Sequence, residues 1–387
     1  MADAKKKITI VGLGLIGGSL GMALKSANLS GIEIVGHDRD IEVETRAQKL
    51  GAVDRREHNL MRAIEGASLI IIAVPITSMP DLFKEIGPDL AEGVVITDTA
   101  STKADVMRWA NELLPSHVNF VGGHPMAGKE TGGIENADGS LFKGKGYVIT
   151  PPIDASPGAI QQVSGIATIV GAEPLFMDAP EHDQYAAAVS HLPLVISTAL
   201  FTLLRASPSW EDMGMMASSG FTDITRLAST DPAMSHGIWR TNREAVIHWL
   251  ERMIGELNRY RDLLKDAQDE TLLQAFVEAQ MQRDEFLRDP PKRRPIDTRP
   301  EIDARQTFTK MLVGGMVADN MKRVMALPDV MAKANAEREK AHGIEKAKST
   351  FSDRVAEGVR RDLEKLRASR EETPPSGEPE EPKDASG

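Results

Sequence analysis

Lys7-Ile-Thr-Ile-Val11-Gly12-Leu-Gly14-Leu-Ile-Gly17-Gly-Ser-Leu20 is a β-branched run that breaks into a glycine triplet and then into helix-forming residues through Lys25. The pattern predicts strand, tight turn, helix. In such a loop Gly12 makes the turn, Gly14 lets a pyrophosphate approach the backbone, and Gly17 lets the helix pack close to the strand. Leu15 and Ile16 complete the loop, and phosphates would rest on the helix N-terminus, where N–H groups and the helix dipole favour negative charge. A second apolar run, Ile32 to Gly36, leads into His37-Asp38. Asp38 lies about twenty residues beyond the last glycine, where a carboxylate grips the adenosine ribose hydroxyls of a dinucleotide. A carboxylate there repels a 2′-phosphate, which favours NAD. The neighbouring Arg39 is able to pair with that phosphate, which keeps NADP open.

Beyond this unit, strand-like runs at Ser68 to Val74, Gly93 to Asp98 and Asn119 to Gly122 alternate with helical stretches such as Ser78 to Leu90 and Lys103 to Leu114. Such alternation predicts an α/β fold with a doubly wound parallel sheet, which binds ligands outside the carboxyl ends of its strands. Val74-Pro75, Asp98-Thr-Ala-Ser101-Thr-Lys103 and Val121-Gly-Gly-His124-Pro-Met-Ala-Gly128 all fall at those ends. His124 is the candidate base, because a neutral imidazole takes a proton near pH 7; a histidine bonded into a turn is the rival. Ser101 is either a hydrogen-bonding partner in the site or a helix N-cap, and the two are compatible. Gly146 to Thr150 and Glu173 to Met177 read as the last strands of this domain.

The period then becomes helical. Asp178-Ala-Pro-Glu181 has capping-box spacing, and Ala186 to Leu204 is apolar nearly all round, so this helix is expected to be buried, against another subunit. It contains Ser190-His191-Leu-Pro193, a polar pair in apolar surroundings. A further polar cluster, Ser219 to Pro232, offers Arg226 as a clamp for a carboxylate, with a local pair to Asp223 as the alternative. Asn242 to Asp266 reads as one amphipathic helix. The expected organisation is a dinucleotide domain at 1–178, a helical domain at 179–287, a proline-rich linker at 288–300, added helices at 301–370 and a disordered acidic tail at 371–387.

Composition narrows the function classes. With 46 Lys+Arg against 57 Asp+Glu the net charge is −11, which disfavours nucleic acid, and the absence of cysteine excludes thiolate chemistry and fits the cytoplasm. No metal site is expected, since His124, His182 and His191 lack the spacing of helical zinc ligands. The basic start followed by Ile8 to Leu24 imitates a signal peptide, but that run holds five glycines, and no other window looks long enough to span a bilayer.

Five motifs in order, Gly12 to Gly17, Asp98 to Lys103, Gly122 to Gly128, Ser190 to Pro193 and Thr225-Arg226-Leu-Ala-Ser-Thr-Asp231-Pro, resemble those of the prephenate and arogenate dehydrogenases of tyrosine biosynthesis. The resemblance implies a Rossmann domain followed by an all-α dimerisation domain, with the active site between the two and a homodimer as the working unit. It also implies oxidative decarboxylation of prephenate or arogenate, with His124 and Ser101 as catalytic residues and His191 and Arg226 as substrate ligands. Two positions depart from the family pattern. Leu194 stands where a second histidine is common, and Thr222 where an arginine is common. Rival readings are a hydroxyacid or imine dehydrogenase, which would want a lysine near Ser190 to Arg226, and a non-catalytic nucleotide-binding protein.

Overall fold

The computed structural model describes residues 6–291; the predicted segments 301–370 and 371–387, and residues 292–300 of the 288–300 linker, lie outside the described residues. The chain begins β1 (Lys6–Val11), α1 (Leu15–Ser26), β2 (Ile32–His37), α2 (Ile41–Lys49), β3 (Arg55–Arg56), α3 (Leu60–Ile64), β4 (Ala67–Ile72), α4 (Met79–Ile86). It continues β5 (Val95–Asp98), α5 (Ala104–Leu113), β6 (Asn119–Pro125), β7 (Gly146–Thr150), α6 (Pro157–Ile169), β8 (Glu173–Phe176). These strands form one sheet in the order β3-β2-β1-β4-β5-β6-β7-β8.

Alternation along the strands feeds two cores. Ile8, Ile10, Leu69 and Ile71 face one side with Leu20, Leu24 and Ile166, whereas Val11, Ile70 and Ile72 face the other with Phe83, Ile86 and Phe120. Both faces are therefore covered, as a parallel sheet requires. Thr9, fully buried among them, donates its hydroxyl to the Ala63 carbonyl at 2.6 Å.

The sheet departs from the all-parallel expectation at one place. β7 runs antiparallel to β6, with His124 opposite Val148, while β8 returns parallel to β7. A parallel neighbour needs a crossover, and between β6 and β7 the chain carries only a single short 3₁₀ turn; α6 supplies the crossover for β8.

The helical region comprises α7 (Ala179–Ala186), a π turn (Ala187–His191), α8 (Leu192–Arg205), α9 (Trp210–Met215), α10 (Ser219–Thr225), α11 (Pro232–Thr241), α12 (Arg243–Lys265) and α13 (Asp269–Arg288). Asp178 caps α7 through the Glu181 N–H, as its spacing predicts. The expected burial of Ala186 to Leu204 is not met within one chain. Leu194 and Ser197 are buried, but Val189 and Leu203 are each 71% exposed. Contrary to the expectation that no further window is long enough, Ala179–Arg205 contains an 18-residue window of mean hydropathy 1.8 and by length and composition alone suffices to cross a membrane. That run also carries His182, Asp183 and His191, which are buried and bonded to neighbouring segments of the fold.

Two compact units divide the described residues. The first runs through Arg252 and contains the whole sheet with α7 to α11; the second, from Met253, holds the rest of α12 and α13, where Tyr260 stacks on Phe276 with ring centroids 6.1 Å apart.

Candidate active site

At the carboxyl end of β1 the chain turns at Gly12, whose φ of +93° suits glycine; a Cβ there would lie 2.5 Å from the Ala73 carbonyl oxygen. A Cβ on Gly17 would lie 1.9 Å from the Gly12 oxygen, so α1 packs against the turn at a distance only glycine allows. Nothing lies within 4 Å of the corresponding position on Gly14, and no side chain caps α1 there. The result is an open helix N-terminus of the kind that holds a pyrophosphate. Leu15 is buried and Ile16 half-buried beneath it, while Val74 packs beside the Gly12 turn and Pro75 is exposed at its rim.

Asp38 completes this cradle at the end of β2. Its Oδ2 accepts from the Leu13 N–H at 2.8 Å and its Oδ1 from the Asp40 N–H at 3.0 Å, and each oxygen keeps a lone pair for a sugar hydroxyl. Glu44, wholly buried on α2, accepts the Asp38 N–H at 3.0 Å and holds that residue's backbone in place. These residues fit NAD.

At the next strand ends the side chains interlock. Asp98 and Lys103 form an ion pair with neither side chain exposed. Lys103 Nζ also donates to the Gly123 carbonyl at 2.7 Å, and Asp98 accepts from the N–H groups of Gly123 at 3.0 Å and Ala100 at 2.8 Å. Both backbone groups of the residue preceding His124 are thus fixed by one buried pair. Burial lowers the Lys103 pKa, and Asp98 opposes that shift.

His124 itself is 8% exposed. Its Nδ1 lies 2.8 Å from His182 Nε2, and His182 Nδ1 lies 2.7 Å from Asp183 Oδ1. Asp183 also accepts from the N–H groups of Lys103 at 2.7 Å and Ala104 at 2.8 Å, which caps α5. Ser101, half-buried in the loop before α5, is therefore not the cap of that helix, and its hydroxyl has no hydrogen-bond partner among the described residues.

His191 is fully buried in the π turn. Asn242 donates to the Asp183 carbonyl at 2.7 Å and approaches His191 Nδ1 at 3.2 Å, whereas His191 Nε2 has no partner among the described residues. Arg226, 57% exposed, pairs with Glu130 in the loop after β6 and not with Asp223. Of the two positions that depart from the motif, Leu194 is buried and the Thr222 hydroxyl bonds back to the Ser218 carbonyl. The site thus gathers His124, Ser101 and the cofactor cradle on one sheet edge, with His191 buried close enough to affect the charge on His124.

The two buried imidazoles are held neutral. Burial, and then the nearby His182, Lys103 and His191, push His124 well below the usual histidine range. Burial lowers His191 to about 4 against the attraction of Asp183. Because both folded pKa values lie below the unfolded value, the unfolded chain binds more protons. The stability they contribute is whole above pH 6.5 and drains as pH falls toward about 4. The thermal midpoint should therefore decline already between about pH 6.5 and 5, above most carboxylate titrations. A midpoint constant across that interval would contradict the burial of two neutral histidines.

The family model described as prephenate dehydrogenase, nucleotide-binding domain, matches residues 20–175, and the one described as prephenate dehydrogenase, dimerization domain, matches residues 178–278. The chain belongs to the prephenate dehydrogenase family. It is 32% identical to the prephenate dehydrogenase of Bacillus subtilis over 286 residues, covering 73% of this chain and 77% of that one. The crystal structure of prephenate dehydrogenase from A. aeolicus, in complex with hydroxyphenyl propionate and NAD+, superposes with a TM-score of 0.68 at 28% identity, covering 74% of this chain and 100% of that one. Synechocystis arogenate dehydrogenase gives a TM-score of 0.62 at 28% identity, covering 72% and 99% of the two chains. The family thus includes enzymes named for either substrate.

Proposed function

We propose that this protein is an NAD-dependent dehydrogenase that oxidatively decarboxylates prephenate to 4-hydroxyphenylpyruvate in tyrosine biosynthesis, with arogenate as the alternative substrate. The observation that carries the reading is His124, a buried imidazole at a strand end, held by the Asp98–Lys103 pair on the edge where the glycine turn and Asp38 form a dinucleotide cradle. NAD, when bound, supplies the acceptor for the hydride. Gly12, Gly14, Leu15, Ile16, Gly17, Asp38, Val74 and Pro75 hold it at that edge.

The chain's own residues manage the proton and the ligand. His124 Nε2 accepts the proton of the ring 4-hydroxyl, help worth about two to four powers of ten in rate. Ser101, with its hydroxyl uncommitted, hydrogen-bonds the same oxygen or the imidazole. His191 presents Nε2 toward the ligand as a neutral group. Arg226 exchanges Glu130 for a substrate carboxylate, an exchange made cheap because exposed ion pairs contribute only about 0–1 kcal/mol. Loss of the ring carboxylate as carbon dioxide leaves an aromatic product.

The proposed organisation is a dinucleotide domain over 1–178 and a helical domain over 179–287, the latter supporting a cytoplasmic homodimer. The match to a dimerisation domain over 178–278 and the exposed Val189 and Leu203 support that assembly.

Two measurements test the reading. Prephenate and arogenate are each offered with NAD and with NADP to the purified protein, and reduced nicotinamide is followed by absorbance. The fastest reduction is expected for prephenate with NAD; no reduction in any of the four combinations overturns the proposal. Arg226→Ala should raise KM by about ten- to a hundredfold, the loss of a charge-assisted hydrogen bond worth about 1.5–3 kcal/mol, with a smaller fall in kcat. An unchanged KM would remove Arg226 from the substrate site.

A further inference from the structure

A proton's position on His124 is decided by groups that the reaction itself never touches. Asp183, as a carboxylate, only accepts, so the 2.7 Å contact from His182 Nδ1 requires that nitrogen to carry the hydrogen. A neutral His182 then has its lone pair on Nε2. That lone pair sits 2.8 Å from His124 Nδ1, which must be the donor. The hydrogen of a neutral His124 is thereby assigned to Nδ1, and Nε2 is left bare. The two rings meet edge to face at 73° with centroids 5.1 Å apart.

We infer that His182 and Asp183 are positioning residues that lock the tautomer of His124, with the proton on Nδ1 and the lone pair on Nε2 available to the substrate. The inference rests on the proposed role of His124 as base. Which nitrogen of an imidazole works is set by the hydrogen bond made by the other one, and a ring free to adopt the opposite tautomer presents N–H where a lone pair is needed. The same file serves the protonated state. When Nε2 takes the hydroxyl proton, the O–H bond breaks, an N–H bond forms, and the imidazolium still donates through Nδ1 to His182. His182 in turn still donates to the Asp183 carboxylate, the one negative group in the file. Burial and then the nearby His182, Lys103 and His191 all lower the proton affinity of His124, so within the file only the Asp183 carboxylate favours its charged form.

Asp183 also caps α5, so substitution there would mix two effects, and the test is placed on His182. His182→Gln keeps an acceptor toward His124 and a donor toward Asp183. His182→Phe fills the space and offers neither. In a steady-state assay with prephenate and NAD, His182→Phe should lower kcat by about 10²- to 10⁴-fold, between the loss of general-base help and the cost of a wrong tautomer in a Ser-His-Asp triad. KM for prephenate and affinity for NAD should stay within about threefold, and His182→Gln should recover all but about tenfold of the rate, as expected when binding contacts are untouched.

Nitrogen-15 spectra of histidine-labelled protein, assigned with His124→Asn, read the tautomer directly. Wild type and His182→Gln should show His124 protonated at Nδ1 and bare at Nε2, a pattern that His182→Phe loses. Protonation of His124 at Nε2 in wild type, or full kcat in folded His182→Phe, would overturn the inference. Should His182→Phe not fold, the wild-type spectrum decides alone. Should His124→Asn keep its turnover, the base assignment fails even where the tautomer is as stated, so the two failures are distinguishable.

Discussion

His124→Asn should lower kcat at least a hundredfold while leaving the substrate KM nearly unchanged. Asparagine preserves polarity and approximate size but cannot take a proton, so the substitution removes the step that base catalysis accelerates by about 10²–10⁴ and little else. Wild-type pH dependence gives an independent check. Burial and the neighbouring His182, Lys103 and His191 keep His124 unprotonated well below pH 6.5, so kcat/KM should be level through neutrality and fall only on its acid side. In His124→Asn that acid limb should vanish along with most of the rate. Turnover equal to wild type, or an acid limb that survives the substitution, would assign the chemistry elsewhere.

The second large effect concerns the pair beneath the site. Lys103→Met should destabilise the protein by about 3–5 kcal/mol, because it strands a fully buried Asp98 charge without its partner. Neither side chain is exposed, and the Gly123 and Ala100 N–H groups that remain on Asp98 are dipoles, not a counter-charge. A double variant, Asp98→Leu with Lys103→Met, removes both charges and should recover much of the loss, since apolar replacement of a whole buried pair is often neutral. The urea midpoint measures both. A Lys103→Met midpoint equal to that of wild type would show that the pair contributes no more than a surface one. Turnover of Lys103→Met should also fall, because the Gly123 carbonyl loses its donor just before His124.

The cofactor half of the molecule was legible in the sequence because its signals are local. Gly12, Gly14 and Gly17 act through the turn they themselves form, and Asp38 through the strand beside it. The alternation of apolar runs likewise announced the sheet. β3 escaped because two residues, Arg55–Arg56, carry no period, and the reversal at β7 because strand direction depends on what the connection lacks. The supporting side chains were hidden for a different reason. His182 sits 58 residues from His124 and Asp183 80 residues from Lys103, distances over which spacing says nothing. Arg226 shows the same limit. Its neighbour in sequence, Asp223, was the natural partner to weigh, whereas the fold brings Glu130 to it from the loop after β6. Ser101 could be read as a cap only while α5 was presumed to need one from its own chain segment; Asp183 supplies it from α7.

The π turn at Ala187–His191 fits one residue more into its coil than an α-turn would. Each α-helical residue advances about 100°, so this widening sets the angular phase of α8 against α7. With the phase as it is, α7 points His182 and Asp183 at the sheet edge, the turn itself buries His191 and leaves Val189 outward, and α8 starts afresh at Leu192 with Pro193 in its first turn and Leu203 outward. A helix that ran on without the bulge would have to choose between those orientations. The extra residue lets a single apolar rod turn one side toward the candidate site and leave another side exposed.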